Sequence, residues 1–290
     1  MEHRINMSVN GSVVASLSYY SRTSDGKLPF SRFGGKPGDK SPMSNVVSEL
    51  KETTINDIRG KENIFDLDVH GFQPILNAPT IINELIDSNG NIDTVDKEEW
   101  FKHHMKCLVE EHWYSSIAYC DVFMINFRSS KPEDKRRKPS PLIHVDQTPA
   151  TGVNYTEGLP QEVQEKVKNG TWRLRILSVW QPLVQVVLDW PLAMAESESC
   201  PESLLISCET RFPSTPSGEM ALVHTPPGNI GLKWWYWSSM APHEVLMIKN
   251  YDSFGLSRCP HTSFRDPRVP STSTQYRKSA EARVIVVTST

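Results

Sequence analysis

The chain has 290 residues, of which 38% are hydrophobic, and its 31 basic and 34 acidic side chains give a formal net charge of −3. This composition is typical of a globular protein with a sizeable core, and the near-neutral charge argues against a nucleic-acid partner or an anionic membrane surface. No apolar run approaches the roughly 18–20 residues of a membrane helix, and the start of the chain lacks the apolar stretch of a secretory signal. We therefore expect a cytoplasmic protein that binds neither nucleic acid nor membrane and forms a single domain over residues 1–290.

The cysteine and proline content narrows the fold class. The five cysteines are odd in number and include no C-x-x-C pair, which argues against a disulfide framework or a cysteine-rich zinc site. The 21 prolines disfavour a helix bundle and favour strands joined by loops.

The first two predicted elements differ in their hydrophobic period. Apolar and polar residues alternate over residues 65–70, which predicts a strand with one buried face. Residues 79–113 change to a helical period, with Phe101, Met105, Leu108 and Val109 on one face and acidic residues in the first turn.

The rest of the chain reads mainly as short strands. They are predicted at residues 117–127, 141–146, 172–180, 185–188, 204–208, 220–224, 232–237, 245–248 and 282–287, with one short helix over residues 159–168. Strands at this spacing, separated by turn residues, favour a sandwich or barrel. In the strand at 232–237, alternation predicts Trp235 and Trp237 on one face and Trp234 and Tyr236 on the other.

The chain contains one His-x-Asp triplet, formed by His144 and Asp146. On a strand, these two side chains point to the same face, so one imidazole and one carboxylate can reach a single ion. With a distant histidine they would make the facial triad of non-haem Fe(II) oxygenases, which leaves positions open for co-substrate and oxygen. Asp68 and His70 offer the same pair in reverse order.

A triad also needs a third ligand and an anchor for a co-substrate. His261 follows a strand-like run and is one candidate for the third ligand, and His224 and His243 are alternatives. Arg283 lies on the last predicted strand. Its guanidinium can bind a carboxylate through two parallel hydrogen bonds, as the distal carboxylate of 2-oxoglutarate would require.

The sequence resembles a family of small Fe(II)/2-oxoglutarate-dependent oxygenases from natural-product pathways, of the aspergillic-acid hydroxylase/desaturase and cephamycin-hydroxylase type. The matching stretches keep their order along most of the chain: residues 57–59, 65–72, 144–148, 172–183, 189–193, 235–236, 242–253, 260–264, 266–267 and 280–284. The resemblance implies a mainly β fold with flanking helices around a double-stranded β-helix (jelly-roll, cupin-like) core. It also implies Fe(II) held by His144, Asp146 and His261, with Arg283 binding the 2-oxoglutarate carboxylate.

The chain departs from the family in one strand motif. Ser178 and Gln181 stand where the family usually has an asparagine and an arginine in N-x-W-R-P. Arg173 or Arg175 could replace the missing arginine near the co-substrate. Tyr236 is the candidate from the aromatic run for a hydrogen bond in the pocket.

The implied activity uses Fe(II), 2-oxoglutarate and O2 to abstract hydrogen from a small amino-acid-, peptide- or terpenoid-derived substrate, giving hydroxylation, desaturation or cyclisation. Relatives of this general class are often dimers, so we expect a homodimer. Two other functions fit the residues. A cupin-type hydrolase or isomerase would use the histidines but would not need Arg283, and a non-catalytic β-sandwich binding module would need no metal.

Overall fold

The computed structural model describes residues 9–34, 41–113, 115–212, 217–228, 231–255 and 258–289. In these ranges the chain forms fourteen strands and five helices. The strands are β1 Val13–Thr23, β2 Phe30–Arg32, β3 Val46–Asp57, β4 Phe72–Ile75, β5 Ile117–Ser129, β6 His144–Val145, β7 Trp172–Pro182, β8 Leu192–Ala195, β9 Leu205–Arg211, β10 Gly218–Val223, β11 Trp234–Tyr236, β12 Val245–Asp252, β13 His261–Ser263 and β14 Lys278–Ser289. The helices are α1 Leu67–His70, α2 Ile82–Leu85, α3 Glu98–Glu111, α4 Pro149–Glu157 and α5 Gln161–Lys168. Short 3₁₀ turns lie at Glu62–Ile64, Ser197–Ser199 and Glu202–Leu204.

Two sheets make the body of the molecule. One has nine strands in the order β1-β3-β11-β8-β13-β6-β10-β9-β2, and the other has five in the order β4-β12-β7-β14-β5. Trp180 and Ile248 of the five-stranded sheet pack in one apolar cluster with Leu192 and Met194 of the nine-stranded sheet. The sheets therefore face each other across a shared interior, which confirms the mainly β, jelly-roll prediction.

Helix α3 covers the outer face of the five-stranded sheet. Its buried residues Phe101, Met105, Leu108 and Val109 are those that the helical period predicts, and they pack against apolar residues of β7, β12 and β14. The long apolar stretch from 79 to 113 is thus divided into α2 and α3, with a loop between them.

Strand β14, which lies between β7 and β5, separates an apolar from a polar face. Ala280, Ala282 and Val284 face the cluster under α3. Polar residues alternate with them and face the interior between the sheets: Arg277, Ser279, Glu281 and Arg283. A strand this polar on its inner face indicates a functional interior rather than a purely apolar core.

Residues 65–70 do not form the predicted strand: residues 67–70 form α1, and residues 65–66 join it to the preceding 3₁₀ turn. The Asp66 side chain accepts hydrogen bonds from the backbone N–H groups of Asp68 and Val69, which caps the helix. Gly71 ends α1 with a φ of 83°, a conformation that favours glycine. Local capping therefore prevails over the apolar alternation.

Two other predicted strands are shorter in the structure, and two long observed strands were not predicted. The predicted strand at 185–188 is reduced to one isolated bridge between Val187 and Met240. The predicted strand at 141–146 shortens to β6. Two long strands near the start of the chain, β1 and β3, were not predicted, because their polar and charged residues hide the alternation.

The aromatic run of β11 divides as predicted. Trp234 and Tyr236 pack in one apolar cluster, whereas Trp235 and Trp237 belong to another. Within the described ranges, none of the helices has the length and apolar character that crossing a membrane requires.

Candidate active site

Two neighbouring strands bring three potential metal ligands together. His144 on β6 lies directly opposite His261 on β13 in the antiparallel ladder. Asp146 follows β6 on the same face as His144, and its two carboxylate oxygens each lie 3.5 Å from the Nε2 atom of one histidine. All three side chains are buried, and their ligand atoms lie within 4.8 Å of one another.

The histidines are oriented by backbone carbonyls. Nδ1 of His144 lies 2.7 Å from the carbonyl oxygen of Leu142, and Nδ1 of His261 lies 3.1 Å from that of Cys259. Donation from Nδ1 leaves a lone pair on each Nε2, which is the tautomer that a metal-binding histidine requires. Two imidazole nitrogens and one carboxylate fit Fe(II) in a facial triad.

Asp146 is held by a buried polar shell. Ser178 on β7 donates a hydrogen bond of 3.0 Å to Oδ2, and Arg283 donates to Oδ1. Asn250 on β12 accepts from the Asp146 backbone N–H at 3.3 Å and donates to Ser178 at 2.9 Å. Burial raises the pKa of Asp146, but Arg283 and the two histidines outweigh it and hold the pKa well below its ordinary value. The carboxylate is therefore ionised, as a metal ligand must be.

Arg283 already has two carboxylate partners. Its Nε donates to Glu281 at 3.1 Å, in addition to the contact with Asp146. Burial lowers the pKa of Arg283, and the two carboxylates more than reverse that effect. The predicted 2-oxoglutarate anchor thus lies beside the triad, but its charge is neutralised by the protein itself.

A second arginine on the same face of β14 has a different environment. Arg277 is 1% exposed and bonds only to neutral oxygens: the Trp190 carbonyl at 2.6 Å and the hydroxyls of Ser263 and Ser279. Burial, followed by repulsion from Arg128, lowers the pKa of Arg277 to about 9. The side chain remains a buried cation with no carboxylate bonded to it in the described part of the chain.

Arg277 lines a narrow cavity that His144 and His261 also line. The Trp180 ring lies against the guanidinium, with 5.0 Å between the guanidinium carbon and the ring centroid. Trp180 also lines this cavity, and its buried Nε1 has no hydrogen-bond partner. A buried cation and an unpaired donor beside the triad suit an anionic ligand.

A larger cavity, of about 470 Å³, opens on the other side of His144 and Asp146. Its walls are mixed: Met124, Leu142, Met220 and Tyr155 of α4 contribute apolar surface, and serines, arginines and Glu219 contribute polar surface. A volume of this size suits a small-molecule ligand. Because His144 lines both cavities, the triad lies between them.

Two predicted cofactor-binding residues lie elsewhere. Arg173 points to the opposite face of β7 from Ser178 and pairs with Asp68 and Asp252. Tyr236 donates a hydrogen bond to the Gly11 carbonyl and accepts one from Arg268. Neither residue is among those that line the two cavities at the triad.

The alternative strand arginine and the motif departures also have structural partners. Arg175 binds Asp68 through Nε and a terminal nitrogen. Gln181 donates to the carbonyls of Pro79 and Pro242, on the face of β7 away from the triad. Ser178 is therefore the one departure from N-x-W-R-P that touches the site.

The competing metal ligands are not assembled in the described part of the chain. His224 packs edge-on against Tyr20, and Asp68 is bound by cations on β7 and β12. Nδ1 of His70 accepts a hydrogen bond from the Asp66 backbone. The group that could hold a metal contains neither these residues nor His243.

Sequence reasoning missed Arg277, Ser279 and Glu281. The signal was present: polar residues alternate strictly with Ala280 and Ala282 at the start of β14, so they share its inner face. Asn250 gave no comparable signal, because it lies where the register of β12 against β7 shifts at a bulge.

Comparisons with known proteins agree with this geometry. A family model described as an oxidoreductase/YMDC permease-like domain matches residues 17–287. The Fe(II)/2-oxoglutarate-dependent dioxygenase NvfI of Aspergillus novofumigatus is 28% identical over 261 residues, which cover 87% of each chain. The hydroxylase/desaturase CTB9 of Cercospora beticola is 30% identical over 239 residues, covering 76% of this chain and 72% of its own. A solved structure of the iron and alpha-ketoglutarate-dependent endoperoxidase NvfI superimposes with a TM-score of 0.81 at 25% identity, covering 98% of this chain and all of that one.

Proposed function

Because the chain belongs to a family of Fe(II)- and 2-oxoglutarate-dependent dioxygenases of fungal secondary metabolism, we propose that His144, Asp146 and His261 hold its iron. The observation that carries this assignment is the convergence of two Nε2 lone pairs and one ionised carboxylate in a buried site. Hydrogen bonds from both Nδ1 atoms to backbone carbonyls fix the orientations of the rings without a bound metal.

We assign the carboxylate of 2-oxoglutarate to Arg277 rather than to Arg283. Arg277 is a buried cation bonded only to neutral groups, so binding an anion would compensate its desolvation. Arg283 would have to give up Asp146 or Glu281 to bind the same anion. In this assignment Arg283 is a positioning residue, which orients Asp146.

The dioxygenase uses Fe(II), 2-oxoglutarate and O2, which when bound supply the oxidising power that removes hydrogen from a substrate. The chain's own residues bind and orient the reactants. Arg277 and Ser263 would hold 2-oxoglutarate in the narrow cavity, which measures about 20 Å³ and would have to widen to receive it. The larger cavity would receive the substrate against the other side of the triad. Met124 and Leu142 on the walls of the larger cavity would lie against apolar parts of the substrate.

The substrate is a small molecule, and we propose an amino-acid-, peptide- or terpenoid-derived metabolite that is hydroxylated, desaturated or cyclised. The apolar surface that Met124, Leu142 and Met220 contribute to the 470 Å³ cavity supports a substrate with an apolar body. The homodimer and the cytoplasmic location stay predictions.

The test is anaerobic titration of the purified protein with Fe(II) and then 2-oxoglutarate. Chelation at an open triad gives a weak visible band near ~500 nm in the wild type. We expect His144→Ala to abolish the band. Arg277→Gln should raise the 2-oxoglutarate concentration at half-saturation by at least about tenfold, the loss of one charge-assisted hydrogen-bonding group.

Three outcomes separate the assignments. Absence of the band in the wild type would reject the proposed function. A band with unchanged 2-oxoglutarate affinity in Arg277→Gln and weakened affinity in Arg283→Gln would return the anchor to Arg283. An unchanged iron content in Asp146→Ala would mean that another carboxylate holds the metal.

A further inference from the structure

We propose that the mouth of the larger cavity is a carboxylate-binding subsite, in which Arg137 binds an acidic group on a substrate with an apolar body. This inference rests on the proposed function, since it names the substrate class of the same site. It concerns a residue outside the triad and the 2-oxoglutarate cavity.

The exposure of the lining residues defines the two ends of the cavity. His144 and Asp146 are buried and form its base. Met43, Ser44 and Arg137 line the same cavity but are exposed to solvent, so they form its mouth. A ligand reaching from the iron to solvent would therefore pass Arg137.

The Arg137 side chain is held in place but keeps its hydrogen-bond donors. Its guanidinium carbon lies 4.8 Å from the centroid of the Phe33 ring, so the ring contacts one face of the planar group. The Arg137 backbone is fixed by a bridge to Arg128 and by a hydrogen bond of 3.1 Å from the Ser129 N–H to its carbonyl. Stacking leaves the N–H edge of a guanidinium available for a carboxylate.

The positive charge of Arg137 is offset only in part, by Glu281, which is itself already paired. Arg283 is paired with Asp146 and Glu281, and Arg128 lies 3.9 Å from Glu281. No acidic side chain forms an ion pair with Arg137 in the described part of the chain. Partial burial, followed by repulsion from Arg128 and Arg283, lowers the pKa of Arg137. An anion at the mouth would relieve both effects.

The residues between the base and the mouth of the cavity determine what the remainder of the ligand would contact. Met124, Leu142, Met220 and Leu222 provide apolar surface along the cavity, whose lining also includes polar and charged side chains such as Ser140, Arg32 and Glu219. A ligand that fits both the walls and the mouth of the larger cavity has an apolar body, which lies against these apolar residues, and a terminal carboxylate at Arg137.

The experiment measures binding to the Fe(II)- and 2-oxoglutarate-loaded protein under anaerobic conditions by calorimetry. The probes are octanoate and phenylbutanoate, each paired with its neutral primary amide. Saturating 2-oxoglutarate keeps the probes away from the iron and from Arg277. We expect the carboxylates to bind roughly 10- to 100-fold more tightly than the amides, as a charged hydrogen-bonded pair predicts.

Variants of the same loop test the residue. Arg137→Gln should abolish the preference for the carboxylate, and Arg137→Glu should reverse it in favour of octylammonium. Lys135→Gln is the matched control, because it removes one positive charge from an exposed position nearby that does not line the cavity. It should keep the preference, and near-ultraviolet circular dichroism checks that every variant is folded.

Equal affinities for carboxylate and amide in the wild type, or no binding of either carboxylate, would overturn the subsite. So would a preference that survives in Arg137→Gln. These outcomes are distinct from failure of the proposed function, which would already appear as the absence of the visible band before any probe is added.

Discussion

Arg277 and Arg283 lie on one face of β14, yet their charges are balanced in different ways. Arg283 neutralises two carboxylates that are themselves buried, Asp146 and Glu281. Arg277 donates hydrogen bonds only to carbonyl and hydroxyl oxygens. The first arginine therefore balances charges of the folded protein itself, whereas the second bonds to no carboxylate in the described part of the chain, as the proposed 2-oxoglutarate site requires.

This contrast predicts opposite effects on stability. Arg283→Met leaves Asp146 and Glu281 buried without their cation, and we expect it to lower the free energy of unfolding of the metal-free protein by about 3–5 kcal/mol. Arg277→Met removes a buried cation that has no carboxylate partner, and we expect a neutral or stabilising effect. Urea unfolding of both variants in the absence of metal and 2-oxoglutarate measures the difference.

If both variants lose the same amount of stability, Arg277 is a structural residue and the assignment of 2-oxoglutarate to it fails. The double variant is the control. Its loss of stability should resemble that of Arg283→Met alone, because the two side chains share no hydrogen-bond partner in the described part of the chain.

The sequence predicts those residues of the site whose relative positions depend on neighbouring residues of one strand. His144 and Asp146 follow from the period of two on a strand. His261 could be selected over His224 and His243 only through the family resemblance, because long-range strand pairing brings it to His144. Arg277 was missed because its role depends on a missing counter-charge, which becomes visible only when its neighbours are known.

Helix α4 connects the His144–Asp146–His261 triad to the larger cavity. Thr148, two residues after Asp146, caps its start, and the helix carries Thr151 and Tyr155 on the wall of the cavity. Thr148 donates a hydrogen bond of 2.8 Å to Glu219 on β10. Gly152 lies where the helix meets Tyr251, since a Cβ at this position would lie 2.2 Å from the Tyr251 ring.

Gly152→Ala should therefore destabilise the protein although alanine favours helices. Overpacking against Tyr251 costs about 1–3 kcal/mol, which outweighs the helix preference of roughly 1 kcal/mol. Gly158→Ala, at the end of the same helix, is the matched control: its φ is −82° and its nearest contact would be 3.5 Å from the new Cβ. We expect less than about 0.5 kcal/mol there. Guanidinium unfolding measures the free energy of unfolding of both variants. Equal losses in the two variants would contradict the packing of α4 on β12.

Two of the elements that the sequence did not predict, α1 and α4, are helices whose first residues are capped by a side chain. Local side-chain capping turned the alternating residues 65–70 into α1, as the hydrogen bonds to Asp66 explain. Helix α4 was not predicted, although Thr148 and Pro149 make a typical start. Apolar period identified α3, β5, β7 and β14 because each buries a full face in the same cluster.

At the scale of the whole molecule, the site joins the two sheets. The three proposed iron ligands come from the nine-stranded sheet and the segment after β6, whereas Ser178, Glu281 and Arg283 come from the five-stranded sheet. Hydrogen bonds to Asp146 cross the interior between them. A ligand bound here contacts both halves of the fold, so it should stabilise them together.

Two buried cysteines allow each sheet to be followed separately. Cys120 lies on β5 of the five-stranded sheet and Cys208 on β9 of the nine-stranded sheet. Burial raises the pKa of Cys120 to about 12 and that of Cys208 to about 11, so neither thiol reacts readily while its sheet is folded. Pulse labelling across a urea series, read by mass spectrometry, gives one unfolding midpoint for each sheet.

If residues 1–290 form a single domain, Cys120 and Cys208 should become labelled at the same urea concentration. Fe(II) with a 100-fold excess of 2-oxoglutarate over its dissociation constant adds about 2.7 kcal/mol from 2-oxoglutarate alone, which should raise both midpoints equally, by about 1 M urea. In Arg277→Met the increment from Fe(II) should remain and the increment from 2-oxoglutarate should disappear. Separate midpoints, or a shift confined to Cys208, would mean that the sheets unfold independently and that the five-stranded sheet takes no part in binding 2-oxoglutarate.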